Sequence, residues 1–436
     1  MTRLRRISLV AAALLLGVAG RSTAQDTTRT PQDVRLGLTY TPGSKPGLIV
    51  LPIAGPAGDS VRAILQRDFD YGDRINVIGA DGMGFPEAPT AGRNGNYPVY
   101  AKLGAAALLQ ASLTPSGIHV ALHDVAQQKI ARVRDLPVAG AVNSREWRLM
   151  VHAVADEIEN WVTGVRGIAA TRIAYVSGGR VHVIDSDGAF ATPVSDGGTA
   201  LSPAWHPSGS HLVYTVLGPR GTQITVRDLA TGGSRALPTT PGGLNITPTF
   251  SPDGGTIVYA HGAEEGTDLF SAPAAGGPAR RITVGRGSDN TSPSFSPDGR
   301  RIAFTSGRSG HPEVYISDAD GTNADLLTPY NFGDQSYRSS PDWSRDGRLI
   351  AFQSQIGGRF QIMTISLRDR TVKQWTSEGL NEDPSWAPDS RHIVFTSSRS
   401  GVKQLWVLDV ESARVRQLTR TGGARLAAWS PSLRPR

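Results

Sequence analysis

The chain has 436 residues, 39% of them hydrophobic, and a formal net charge of +7. It is apolar enough to fold and too long for one ordinary core, so two domains or one large repeat fold is expected. Cysteine is absent, which excludes a disulfide scaffold, thiolate metal sites and a cysteine nucleophile; Arg3, Arg5, Arg6 and Arg21 carry over half the surplus charge, which argues against a surface that tracks phosphates.

Arg3, Arg5 and Arg6 precede an apolar run at 7–19, and Ser22-Thr23-Ala24 puts small residues before Gln25. A basic start, a run of about 13 residues and a small-x-small site read as a secretory signal peptide over 1–24, cleaved near Ala24. The run falls short of the ~20 residues a membrane-spanning helix needs. No later stretch is apolar enough to span, so the mature chain is expected to be exported without a transmembrane segment. Residues 25–45 read as an extended tail. Its segment Asp33, Val34, Arg35, Leu36 alternates in character and can add to a sheet edge.

Residues 46–167 read as a small α/β domain. Strands are predicted at 47–53, 73–79 and 105–113, with a hairpin pair at 118–124 and 129–138. Asp59 or Ser60 can cap a helix carrying Val61, Ile64 and Leu65. Residues 80–96 are rich in glycine and proline and read as a loop. A second helix starts with Asn143 as cap and Glu146 three residues on. It carries the stripe Trp147, Met150, Val151, Val154, Ile158 and Trp161, and ends at Gly164.

Residues 168–436 read as a repeat. SPAWHPSGSHLVYT at 202–215 recurs as TPTFSPDGGTIVYA, SPSFSPDGRRIAFT, SPDWSRDGRLIAFQ and DPSWAPDSRHIVFT, and in shortened form at 426–436. Trp205, Phe250, Phe295, Trp343, Trp386 and Trp429 are spaced by 45, 45, 48, 43 and 43 residues, the period of a β-propeller blade. In each unit the aromatic ends a strand and Ser-Pro-Asp-Gly makes a type I turn. Three further short strands follow. The sixth unit stops after its first strand, and the three missing strands lie before the first unit, at 172–195. The expected fold is an all-β six-bladed propeller, C-terminal to a small α/β domain, with the last strand completing the first blade.

Catalytic motifs are missing: no GxSxG, HExxH, P-loop or GxGxxG occurs in a fitting context. His119 and His123 fall four apart on a predicted strand, about 13 Å from each other, too far to share a metal and best read as an exposed face. The acidic pairs Asp185/Asp187 and Asp318/Asp320 flank glycine and read as turn formers, with weak calcium binding as the alternative. No cofactor and no metal site is expected. One constellation remains. Five residues before each aromatic stand Ala200, Asn245, Asn290, Arg338, Asn381 and Ala424. With Thr291, Glu382 and Asp383 they are expected to ring one mouth of the channel as a polar socket for a protein, or to be turn residues only.

The order of parts resembles the TolB family, periplasmic components of the Tol-Pal system. The resemblance rests on WRLMVHAVADEIENWVTGVRGIAATRIAYV (147–176), LGAAALLQASLTP (103–115) and AWSPSL (428–433). It implies that the propeller face carrying SDNTSPSF (288–295) receives the peptidoglycan-associated lipoprotein Pal, and that the tail binds TolA. The function it implies is a non-enzymatic periplasmic adaptor that supports outer-membrane integrity and cell division. The alternative from another class is an exported propeller hydrolase or lyase acting on a polymer at the channel mouth. The export reading expects a mature protein that begins at Gln25 and is released when the outer membrane is opened. Terminal sequencing of the released protein checks this, and the intact run retained in a membrane fraction overturns it.

Overall fold

The computed structural model describes residues 44–79, 96–219, 221–284, 288–329 and 336–433. The expected signal peptide over 1–24, the expected tail segment Asp33–Leu36 and most of the 80–96 segment lie outside the described residues.

The α/β region forms one five-stranded mixed sheet in the order β2-β1-β3-β4-β5. Its elements in chain order are β1 (Gly47–Val50), α1 (Gly58–Gly72), β2 (Asn76–Val77), α2 (Tyr97–Lys102), β3 (Ala107–Thr114), β4 (Gly117–Asp124), β5 (Lys129–Pro137) and α3 (Arg145–Thr163). β1 runs parallel to β2 and β3; β3, β4 and β5 form an antiparallel meander. One face of the sheet packs against α1 and α3 through Leu48, Val50, Val61, Leu65, Phe69, Leu109, Val151 and Ile158. The α3 stripe is in this core as its spacing predicts, with Met150 packed at the edge.

Several local readings are corrected. Ser144, not Asn143, caps α3: its hydroxyl accepts the Trp147 N–H, while Asn143 sits just outside at φ +63. α1 starts after Ala57 with no side-chain cap, so Asp59 and Ser60 lie inside its first turn. The strand predicted at 73–79 shrinks to Asn76–Val77. α2 was not foreseen; its Tyr97 and Tyr100 cover the second face of the sheet. That cover overturns the reading of His123 as exposed. It is fully buried, with Nδ1 2.9 Å from the Tyr97 hydroxyl, whereas His119 stays at the open end of the strand beside Asp135.

Six four-stranded antiparallel sheets follow. Blades two to six are each built from consecutive strands. The first blade is the exception: Arg425–Trp429 pairs with Arg172–Ser177, inside the strands at 180–185 and 192–193. Trp429 is 1% exposed and its indole N–H donates to the Thr171 hydroxyl at 2.8 Å. Its backbone N–H donates to Ser385 of the sixth blade, so one residue ties the first and last blades together. Among the described residues no helix is long and apolar enough to cross a membrane.

Removing the closing strand exposes the edge of Arg172–Ser177 and empties a full indole volume. Trp429→Ala is expected to cost about 3–5 kcal/mol in chemical denaturation. Truncation before Arg425 should lower the midpoint further; an unchanged midpoint would count against closure.

Candidate functional site

The inner strands Thr199–Trp205, Leu244–Phe250, Asn290–Phe295, Arg338–Trp343, Asn381–Trp386 and Arg425–Trp429 surround a central cavity of about 390 Å³. Each is broken by a bulge at the same place. Ser202, Thr247, Ser292, Ser340, Asp383 and Leu426, three residues before the aromatic, all adopt left-handed φ between +47 and +55. Pairing with the second strand shifts register there in every blade. Proline follows five of the six, supplying a residue that needs no donor partner where the ladder is interrupted.

Adjacent inner strands are stitched just past the bulge. The residue before the aromatic accepts the N–H of the next blade's aromatic: Ser294 from Trp343 at 3.1 Å, Asp342 from Trp386 at 2.7 Å, and Ser385 from Trp429 at 3.1 Å. Two carboxyls, Asp342 and Asp383, line the cavity. Burial raises both. Asp342 is raised despite Arg345 and its hydrogen bonds; Asp383 reaches about 6, with the charge of Glu382 adding to the effect of burial.

The socket predicted from the sequence is only partly realised. Asn245, Asn290 and Asn381 are 3%, 0% and 0% exposed. Their amides are spent in the seams between blades. Asn290 Nδ2 donates to Asp268 at 3.0 Å, and its oxygen accepts from Ser306 and Arg308. Asn381 Nδ2 donates to Gln361 at 2.8 Å and its oxygen accepts from Arg399. Asn245 Oδ1 meets His261 Nδ1 at 3.0 Å. Arg338 is half-buried and pairs with Glu313 at 3.0 Å, a carboxylate that also accepts from Thr328. These residues join each blade to the one before it and do not offer free groups to a partner. Thr291, Glu382 and Asp383 remain half-exposed, with Glu382 held by Lys403.

At the two alanine positions the seam lacks its polar link. The backbone rung persists: Ala424 N–H donates to Lys403 as Arg338 N–H donates to Pro312. Yet Gln404, in the place of Glu313 and Gln361, accepts from Thr419 but keeps a buried Nε2 without a partner among the described residues. Beside Ala200 lies a cavity of about 270 Å³.

What the sequence reading missed is the apolar rim at this end of the ring. Leu217, Leu244, Val284, Tyr337, Ile356 and Val402 are among the exposed large hydrophobics. Leu244 and Tyr337 fall where an inner strand begins, Leu217, Ile356 and Val402 where second and third strands turn, and Val284 just past a fourth strand, positions that antiparallel pairing puts at one end of the blades. Arg391, in the turn at the opposite end of the sixth blade, is buried against Asp409 and the Asp73 carbonyl.

Residues 160–433, well over half of the chain, match the family model described as the TolB beta propeller domain. The chain is similar to the Tol-Pal system protein TolB of Haemophilus influenzae (strain 86-028NP), 30% identical over 236 residues that cover 50% of this chain and 53% of that protein. It is also similar to the Tol-Pal system protein TolB of Methylococcus capsulatus (strain ATCC 33009 / NCIMB 11132 / Bath), 32% identical over 249 residues, 53% and 55% of the two chains. The chain thus spans about half the length of the curated relatives it matches. The solved structure of TolB from Acinetobacter baumannii shares the fold, with a TM-score of 0.76 at 22% identity, covering 89% of this chain and 97% of that one.

The seam geometry yields paired expectations. Asn381→Ala strands Gln361 and Arg399 and should cost about 1–3 kcal/mol of stability. Ala424→Asn gives Gln404 an acceptor and should gain about 0.5–1.5 kcal/mol. Denaturant midpoints of the two variants check the pair; equal shifts would reject the seam role.

Proposed function

The chain belongs to the TolB propeller family, and from that premise we propose that it is a non-enzymatic periplasmic adaptor of the Tol-Pal envelope system. Its propeller receives the lipoprotein Pal at the mouth where the inner strands begin. Its tail, through Asp33, Val34, Arg35 and Leu36, receives TolA. In this role it supports outer-membrane integrity and cell division.

The observation that carries the Pal reading is the apolar rim. Val284, at 82% exposure, and Val402, at 64%, stand around a polar centre that includes Thr291, Glu382 and Asp383. Apolar anchors around satisfied polar groups suit a folded protein better than a polyanion or a sugar chain. The cavity carboxyl of Asp342 is occupied by a backbone N–H and a serine hydroxyl, which suits a wall better than an acid catalyst.

Calorimetry of the mature protein with soluble Pal tests this. Val284→Asp and Tyr337→Ala should each weaken binding by about tenfold or more, because truncating a desolvated anchor costs ~1–3 kcal/mol. Arg300→Ala, at the exposed turn of the opposite end, should bind like the parent. Alike behaviour of rim and turn variants rejects the mouth. Deleting 25–37 should abolish TolA binding while Pal binding persists; equal TolA binding rejects the tail.

A further inference from the structure

Between the α/β region and the propeller many of the contacts are made by charged side chains. The apolar cluster of the α/β region ends at Ala169, and the next begins with Ile168 of the linker. Across the junction Arg74 joins Glu159 at 3.2 Å and Asp389 at 3.0 Å, and Arg414 pairs with Asp70 at 2.8 Å. Arg148 pairs with Asp187, and Arg391 donates to the Asp73 carbonyl.

One stripe of α3 runs through this region. His152, Asp156 and Glu159 are spaced four and three apart, on one helix face, at 1%, 1% and 3% exposure. His152 Nδ1 lies 2.7 Å from Asp68 Oδ2 of α1, while its Nε2 is buried without a partner among the described residues. Asp156 accepts the N–H groups of Ala169 and Ala170, where the chain enters the first blade, at 2.6 and 3.0 Å. Two glycines close the space around the carboxyls. A Cβ at Gly167 would stand 2.6 Å from Asp156 Oδ1, and one at Gly72 2.7 Å from Glu159 Oε2.

Asp68, His152 and Asp187 bring ligand-type atoms within 4.8 Å of one another. Their surroundings suit an ion-pair network and not a bound cation. Asp187 Oδ1 takes the Ala189 N–H, and Oδ2 faces Arg148 and Arg67, so two guanidinium charges already sit where a metal would.

We propose that His152, Asp156 and Glu159 form a proton-operated latch: with protons bound it holds the α/β domain against the propeller, and their loss loosens the junction. The groups facing it are Arg67, Asp68 and Arg74 from α1 and the turn after it, Arg148 on α3, and Arg166 just past the end of α3. From the propeller come Asp185 and Asp187 of the first blade and Asp389 and Arg416 of the sixth.

The direction follows from burial. It raises Asp156 to about 7 against the two N–H groups, and Glu159 to about 7 against Arg74. Burial alone would lower His152, but Asp68, with Asp187 and Asp185 behind it, raises it instead. Asp68 is itself raised by burial. A solvated carboxyl titrates near ~4 and a solvated imidazole near ~6.5. The shut junction therefore takes up protons as pH falls from about 7 to 4 at the carboxyls, and above ~6.5 at His152. Its stability is greatest at the acid end of this window and is lost as pH rises through it. Asp187 and Asp389 work the other way. Burial is overridden there by His152 and arginines, both are lowered, and their contribution fades only below ~4.

Amide hydrogen exchange of the full chain, corrected for the intrinsic pH dependence of exchange, tests the latch. Each linked proton changes an opening equilibrium about tenfold per pH unit. Peptides from 145–163 and 66–74 should lose roughly a thousandfold or more of protection between pH 5 and 7, relative to the fourth-blade strand 301–306. Glu159→Gln and Asp156→Asn, neutral mimics of the protonated acids, should each remove one carboxyl's share of the pH dependence, and the double variant should leave only the His152 dependence above ~6.5. A constant protection ratio from pH 5 to 8 in the parent overturns the proposal, and this reading stands even if a variant fails to fold. Full parental pH dependence in both variants overturns it as well.

Discussion

The propeller depends on a pairing between segments about 250 residues apart: Arg425–Trp429 against Arg172–Ser177. Without it the ring has two raw ends, one a three-stranded blade and one a lone strand. Every other blade is made from neighbouring strands and could form locally. The closing pair couples them, because a blade cannot shift in the ring without disturbing Trp429, which touches the sixth blade through Ser385 and the first through Thr171. The α/β region inherits its placement from this closure, since α3 leads directly into the strand that Trp429 covers.

The blades were legible because the signal repeats. Six aromatics at nearly constant spacing, each followed by a Ser-Pro turn or its remnant, fix strand number and phase, and the complementary fragments at 172–195 and 426–436 require a ring. The α3 stripe was legible for the same reason, as one strong period over 19 residues. The seam was misread. Counting five residues back from the aromatic presumes an unbroken alternation of faces. A left-handed residue near φ +51 at Thr247, Ser292 and Ser340 inserts one extra residue and reverses the face of everything upstream. Nothing in Ser-Pro or Thr-Pro announces that bulge. The asparagines thus turn into the protein, where their amides are used.

The junction was illegible for a different reason. Its members come from α1, α3, a hairpin turn of the first blade and two parts of the sixth. Each looks like an ordinary surface charge in its own segment: Asp187 reads as a turn former, Arg391 as an exposed arginine. Only tertiary structure brings them together and removes their water. A junction of this kind is geometrically demanding and gains little net stability, because buried charges lose hydration nearly as fast as they gain partners. Apolar clusters hold each part together, while charged pairs decide how the parts meet.

The seams also bear on how near-identical repeats avoid exchanging places. Inner strands of which five read x-Pro-x-aromatic offer little to distinguish one blade from another, and misassembly between similar units is a characteristic failure of repeat proteins. Here each seam has its own chemistry: Asn290 meets Asp268, Arg338 meets Glu313, Asn381 meets Gln361, and Ala424 leaves Gln404 alone. A ring with two blades interchanged would set Arg338 against a neutral amide and leave the Glu313 carboxylate buried with no cation. The penalty for that single error, of order several kcal/mol for an uncompensated buried charge, rivals the whole stability of many domains. Variation at an otherwise repetitive position therefore acts as a serial number, and it lets a monotonous sequence assemble in only one order.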